Sequence, residues 1–347
     1  MVINIPLAIT GAIILVFVYS DFIYTSLSTS GSGFLSKRVT QLLWKCLSWL
    51  SQGPGRHLIR NYSGMVSILV LLSVWLTLTW LGNGLIFCAD PDSIRVTGTD
   101  APVGVVEKFY FAGYTLATLG NGDLYPARPF WRIFTVIVAL SGFSLLTIAI
   151  TYLIQVLTSE IEKRKLSLYI ASIGTTPQDI LMNGWDGKTF RRLESHFISL
   201  SPMILSHSQH HLAYPILHQF TSHRALDATA FTLTVLDEAL TILYLYIPEE
   251  KRPDEIILRP VREALTNYLL TIEHDFIRPA TRPLDVPAVD RLFQSSIPML
   301  SDRIGKPELW DRLSRRRSLL KAMLNNNGWY WKDLNERTDM EGMESDD

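Results

Sequence analysis

Phe109-Tyr-Phe-Ala-Gly-Tyr-Thr-Leu-Ala-Thr-Leu-Gly-Asn-Gly-Asp-Leu-Tyr-Pro126 is the stretch on which the reading of this 347-residue chain turns. Its left half is apolar and predicts a short helix over about residues 103–117. Its right half, Thr118-Leu-Gly-Asn-Gly-Asp123, places glycines at alternate positions. Glycine reaches the positive-φ backbone that other residues resist, so successive carbonyls in such a string can point the same way. What such a backbone is for depends on what surrounds it.

Apolar runs flank it on both sides. Residues 3–19, 65–88 and 131–157 are each long and apolar enough to cross a hydrocarbon core of about 30 Å, which a helix does in roughly 20 residues. An N-terminal apolar run can also be a cleaved signal peptide. Here no Lys or Arg precedes it and no clear small-x-small site closes it, although Ser-Leu-Ser-Thr-Ser-Gly-Ser-Gly at 26–33 supplies small residues, so a retained helix is expected. Irregular backbone is tolerated at membrane depth only where it is buried in protein or lines a watery path. The glycine string between two spanning helices therefore points to a pore, with a re-entrant loop in a non-conducting protein as the alternative. Rings of carbonyls that replace an ion's hydration shell are the known use of such a strand. One chain supplies one strand and a ring needs about four, so a homotetramer is expected.

Lys and Arg stay on the cytoplasmic side of membranes. Lys37, Arg38, Lys45, Arg56 and Arg60 lie between the first two runs, whereas the loop after the second carries Asp90, Asp92 and Asp100 against Arg95 alone. The expected protein is multi-pass in the cell membrane, with its N-terminus outside and everything after residue 158 cytoplasmic. Leu35, Leu42, Leu43, Leu47 and Leu50 interleave with Lys37, Arg38 and Lys45 at helical spacing. That segment reads equally as a helix lying in the membrane interface or as a packed elbow.

The glycine string resembles the filter of the potassium channels, specifically those with two core helices around a pore loop, whose filter reads T-V-G-Y-G-D and often continues L-Y-P. Thr118, Gly120, Gly122, Asp123, Leu124, Tyr125 and Pro126 match that pattern, and the resemblance covers residues 63–157. It implies an ion-binding filter over Thr118, Leu119, Gly120, Asn121, Gly122 and Asp123, holding potassium. The carbonyls of the first four, with the Thr118 hydroxyl at the inner end, would form the ion sites, and Asp123 would stand at the outer mouth. The preceding helix would aim the negative end of its dipole at a central cavity, and Gly142 would be a gating hinge. Asn121 replaces the family's bracing aromatic, so bracing is expected from Tyr110, Phe111 or Tyr114, and a non-selective monovalent cation pore is the alternative to a potassium-selective one. Tyr114 stands where many members carry a carboxylate.

Beyond residue 158 the chain alternates polar and apolar residues. Amphipathic helices are expected over about 189–199, 225–246, 253–276, 286–303 and 307–325, with breaks at Pro177, Gly184–Gly187, Pro248 and Pro279–Pro283. The fold class is all-α: an N-terminal membrane helix over 1–20, a cytoplasmic basic linker over 21–62, a pore domain over 63–158, a helical cytoplasmic domain over 159–338 and a disordered acidic tail over 339–347. Six histidines, His196, His207, His210, His211, His218 and His223, fall in one window. His207 and His211 have the spacing of a two-His metal or proton-sensing pair; ordinary core or surface histidines are the plainer reading. Arg312, Arg315, Arg316 and Arg317 read as a solvated helix face, or as a patch meeting anionic lipid or a neighbouring subunit. Cys46 and Cys88 fall in different compartments and predict neither a disulfide nor a metal site. There is no G-x-G-x-x-G, no P-loop and no spacing of Asp237, Glu238 or other carboxylates that suggests catalysis, so neither an enzyme nor a nucleic-acid partner is expected. No Arg recurs at every third position of a membrane helix, so no voltage sensor is expected either. Gating is expected from a small ligand or proton at the cytoplasmic domain; a non-conducting accessory or sensor subunit is the reading of another class.

Overall fold

The computed structural model describes residues 3–29, 31–50, 56–222, 224–275, 279, 286–300 and 307–336. The acidic tail, His223, residues 280–283 and the side chains of Arg56, Arg60 and Arg312 lie outside the described residues. The described elements are helices apart from one two-stranded ribbon, and the chain divides into two compact units. One is Met1–Leu157 with Ala213–Phe220, the other Thr158–Leu212 with Thr221–Asp347.

In the first unit, α1 (Ile5–Leu27) runs against α3 (Arg56–Ala89). Glycine makes the approach possible: a Cβ on Gly11 would stand 2.6 Å from the Gly82 carbonyl oxygen, the small-residue contact by which membrane helices pack closely. One turn and more along, Val18 and Phe22 pack on Leu71 and Trp75, with the Phe22 and Trp75 rings edge to face at 4.9 Å.

Residues 21–62 are more than the expected linker, because one buried carboxylate ties three helices there. The Asp21 side chain on α1 accepts from the Leu35 N–H at 2.8 Å, the Ser36 N–H at 3.2 Å, the Ser36 hydroxyl and, at 3.1 Å, the Trp75 indole N–H. Leu35 and Ser36 open α2 (Phe34–Leu50), so Asp21 does for that helix what an N-cap does, satisfying orphan donors and placing negative charge at the positive end of the dipole. Leu35 and Val39 then pack into the same cluster. Of the two readings of this segment, the packed elbow is the one these contacts describe.

The ribbon β1 (Ile94–Val96) and β2 (Leu124–Pro126) brackets α4 (Val105–Leu116), and α5 (Pro129–Ile173) follows. Residues 213–220, expected in the soluble domain, belong to the first unit. Ile216 and Leu217 pack with Ile68, Tyr152 and Val156, and the Gln219 amide donates to the Thr40 carbonyl at 2.8 Å. α5 continues past its apolar run and ends in the second unit.

The second unit is built around α8 (Thr229–Tyr246), surrounded by α6 (Pro177–Gly184), α7 (Arg192–Ala213), α9 (Glu255–Asp275), the single turn α10 (Asp290–Phe293) and α11 (Pro307–Asn326). α8 is long and apolar enough to cross a membrane, yet 89% of it is buried inside this unit, so its apolarity serves a protein core. This corrects the amphipathic reading of 225–246: no face of α8 is left for water. It also explains the arginine run. Asp237 is fully buried on α8 and accepts from Arg316 at 2.6 Å and Arg262 at 3.1 Å; Arg317, 0% exposed, holds Glu238 at 2.7 Å. Arg316 and Arg317 are thus neither a solvated face nor a lipid patch, because two core carboxylates require them. Arg315 alone of the described three is exposed, reaching Glu273 at 3.5 Å. Burial by itself would raise the Asp237 carboxyl, but the Arg262, Arg316 and Arg317 guanidiniums hold it below the usual range, whereas for Glu238 burial, helped by the Asp237 charge, outweighs Arg317 and the carboxyl stands raised.

Removing one partner of a buried ion pair strands the other charge, at a cost of about 3–5 kcal/mol. Arg317→Met is therefore expected to lower the urea-unfolding free energy of this unit by about that amount, and Glu238→Leu added to it to recover a large part. A double variant no more stable than the single one would contradict this account of the core.

Candidate functional site

α4 is wedged between α3 and α5 by contacts that leave no room for side chains at two glycines. A Cβ at Gly84 would collide with the Phe109 ring, and one at Gly142 with the Leu116 carbonyl oxygen. Trp80 donates its indole N–H to the Phe109 carbonyl at 2.8 Å, and Phe87 packs edge to face on Phe111 at 5.2 Å. Gly142, assigned from the resemblance as a hinge, is where α5 admits the end of α4; α5 remains helical through it. Below that end, a cavity of about 460 Å³ is lined by Leu76, Trp80, Leu116, Thr118, Gly142 and Phe143 among others.

The helix closes with the Thr118 N–H on the Thr115 carbonyl at 3.0 Å and the Leu119 N–H on the Tyr114 carbonyl at 2.9 Å. The backbone then alternates: φ is +59° at Thr118, +63° at Gly120 and +77° at Gly122. For the two glycines this costs little. For Thr118 it is an outlier, since a β-branched residue resists positive φ, and the strain is of order 1–2 kcal/mol. Residues 117–123 all lie exposed on the single chain, with Leu119 68% exposed. The six filter residues named from the sequence are therefore contiguous on one free edge, in the alternating conformation that the glycines permit.

Two sets of side chains hold this edge. On one side the Asn121 amide donates to the Tyr110 hydroxyl at 2.7 Å, Tyr110 packs on Tyr114 at 5.1 Å, and Tyr114 donates to the Leu124 carbonyl at 3.1 Å. On the other side stands the ribbon. Thr97, next after β1, donates its N–H to the Asp123 carbonyl at 2.9 Å and its hydroxyl to the Gly122 carbonyl at 2.8 Å. Asp100 pairs with Arg95 at 3.0 Å and accepts from the Tyr125 hydroxyl.

Sequence reasoning used Asp90 only as a charge on one side of the membrane. The structure buries it as an anchor: Trp131 donates to it at 2.8 Å and Arg128 at 3.2 Å, while Lys108 donates to its backbone carbonyl at 2.7 Å. The available signal was its position at the end of α3, next to Pro91.

The chain is 32% identical over 324 residues to "Uncharacterized membrane protein YdjJ" of Bacillus subtilis (strain 168), which covers 93% of this chain and 94% of that protein. A family model described as "Ion channel" matches residues 67–159, from within α3 through the glycine string into α5. Residues 67–159 belong to the ion channel family. The whole chain belongs to the family of that Bacillus membrane protein. The chain is a multi-pass membrane protein, and the ion channel family points to a cation channel rather than an enzyme. The similarity to the Bacillus protein runs through both units, so the second unit is a shared part of these chains and not an isolated appendage. No solved structure matches the chain.

The histidine pair lies elsewhere, in the second unit. His207 and His211 are buried one turn apart on α7 with ring centroids 5.9 Å apart, and the Tyr268 ring lies 4.9 Å from that of His207. Among the described residues no third ligand makes a metal-binding group with them. Both ring nitrogens of His207 lack a hydrogen-bond partner among the described residues. Burial pushes its pKa down to about 3, so it is a neutral aromatic core residue at physiological pH.

A histidine held neutral in the fold but free to charge when unfolded destabilises the fold as pH falls below its ordinary value of about 6.5, by at most about 1.4 kcal/mol per pH unit. That loss continues down to the folded pKa of about 3. Thermal melts of the detergent-solubilised protein between pH 7.5 and 5 are expected to fall more steeply for the native chain than for His207→Phe; equal slopes would refute the assignment.

Proposed function

We propose that four copies of this subunit surround a single cation path whose narrowest part is lined by Thr118–Asn121, and that potassium is the favoured ion. The observation that carries this reading is the exposed edge of residues 117–123, with positive φ at every second residue. Backbone carbonyls at membrane depth need partners, and those of residues 118–121 receive none from lipid and accept none among the described hydrogen bonds of their own chain. A ring of equivalent strands with dehydrated cations between them does. Leu119 in this edge and other exposed apolar side chains of the same unit, among them Val105, Val106 and Phe130, support burial against neighbouring copies.

The charge asymmetry of the loops supports an N-terminus outside and a cytoplasmic second unit. That unit, through which α5 ends, is the candidate for gating by a small ligand or a proton. A proton acting near neutrality would need a group other than His207. Lipid and further copies of the chain are the partners this reading requires; it calls for no nucleic acid and no cofactor beyond the conducted ion. The alternative is a non-selective monovalent cation pore, favoured by Asn121: one amide on the Tyr110 hydroxyl is a lighter brace than a packed aromatic ring.

The test is the reversal potential of purified protein in planar bilayers under opposed potassium and sodium gradients, repeated with Asn121→Tyr. Reversal near the potassium equilibrium potential is expected. Reversal near zero would select the non-selective pore, and absence of current from both proteins would select a non-conducting subunit.

A further inference from the structure

Residues 213–220 leave the second unit after α7 and rejoin it at Thr221, and in between they belong to the first. Their middle is a single 3-10 turn, Pro215–Gln219. Three helices of the first unit converge on it. On α2, the Thr40 carbonyl accepts from the Gln219 amide at 2.8 Å, and the Trp44 ring lies 5.9 Å from that of His218. On α3, the Ser63 hydroxyl donates to the Gln219 carbonyl, and Gly64 leaves room for Phe220, since a Cβ there would stand 2.5 Å from the phenyl ring. On α5, Tyr152 packs edge to face on Tyr214 at 5.9 Å, and Val156 shares one apolar cluster with Ile216, Leu217 and Ile68 of α3. Tyr152 also touches Trp75, the partner of Asp21, at 6.1 Å.

The segment thus ties the far half of α5 to α2 and α3, at a level where the rest of α5 is bare. Ile150, Ile154 and Leu157 are exposed there on the single chain. Apolar constrictions gate pores by dewetting, and four such apolar faces brought together make one, whose width follows the position of α5. The tie is also one that can come undone. The buried Gln219 Oε1 accepts no hydrogen bond among the described residues, a penalty that water removes once the segment leaves. A short turn with few bonds of its own is the kind of element that opens locally. We propose that residues 214–220 are a latch: seated, they fix the far half of α5 against α2 and α3, and α5 shifts to open or close the path only when they leave. This rests on the reading of the chain as a pore subunit. Because the segment continues directly from α7, the latch gives the second unit a route to the pore besides the continuity of α5 itself.

The contact between Gly64 and Phe220 allows the latch to be locked and released in one protein. Gly64→Cys with Phe220→Cys removes the ring and leaves the two Cβ positions within about 4 Å, the span of a disulfide. Cys46→Ser and Cys88→Ala remove the native thiols, and maleimide mass tagging reports whether the bridge has formed. Single channels are recorded in planar bilayers under a potassium gradient. Transitions between open and closed levels are expected to be at least about tenfold rarer in the oxidised protein than in the same protein after reduction. In Phe220→Ala, which loosens the seat without a bridge, they are expected to be more frequent than in the native chain. Equal transition rates in the bridged, reduced and Phe220→Ala channels would overturn the latch and leave the pore reading intact. Absence of current from the native chain and the reduced protein alike would overturn the pore reading and the latch with it.

Discussion

Four consecutive residues, 118–121, present carbonyls that accept no hydrogen bond among the described residues, in a protein whose neighbouring helices are built for hydrocarbon. That constraint organises the first unit. Alternate residues take positive φ, which glycine accepts at 120 and 122 and Thr118 accepts under strain. A strained strand persists only where its surroundings over-determine it, and here they do. α4 is seated by Gly84 and Gly142, and the strand is held by the Tyr110–Asn121 and Tyr114–Leu124 bonds on one side and by Thr97 on the other. Asp90, gripped by Trp131 and Arg128, fastens the ribbon to the helix ends.

The same logic, a buried polar group satisfied from a distant part of the chain, recurs away from the filter. Asp21 assembles α1, α2 and α3 by accepting from Leu35, Ser36 and Trp75, which makes the additional N-terminal helix part of the fold of this unit. In the second unit Asp237 and Glu238 fix α8 against α9 and α11 through Arg262, Arg316 and Arg317. In each case an apolar helix carries a carboxylate whose partners choose its neighbours and register, a role for which geometry matters more than net energy.

These partnerships mark the limit of what the sequence disclosed. The three apolar runs, the helix over 34–50 and the short helix ahead of the glycine string were legible because hydropathy and glycine spacing are local. Gly120 and Gly122 could be assigned positive φ before any coordinates, since few other residues accept it. Asp21 lies 54 residues from Trp75, and Arg317 lies 79 from Glu238, so no periodicity links them. Read alone, the run around Arg316 has the composition of a solvated surface. α8 reads as amphipathic in sequence for the complementary reason: its carboxylates Asp237 and Glu238 are neutralised by arginines that lie far along the chain. The assignment of 213–220 to the first unit was equally hidden, resting on Ile216 and Leu217 finding Ile68 and Tyr152. The filter residues were legible as a string; the ribbon that holds its outer end was not, because Thr97 is an ordinary residue in a polar loop.

The central claim is that the backbone of Thr118–Asn121 is itself the route of the ion, and the most direct measurement is thallium uptake by proteoliposomes containing the native chain or Gly120→Ala. Alanine at φ +63° costs about 1–2 kcal/mol and meets no neighbouring atom within 4 Å, so it disturbs the strand and little else. The account predicts rapid uptake by the native protein and its loss in the variant, with the same oligomer size in detergent. Undiminished uptake through Gly120→Ala would contradict it.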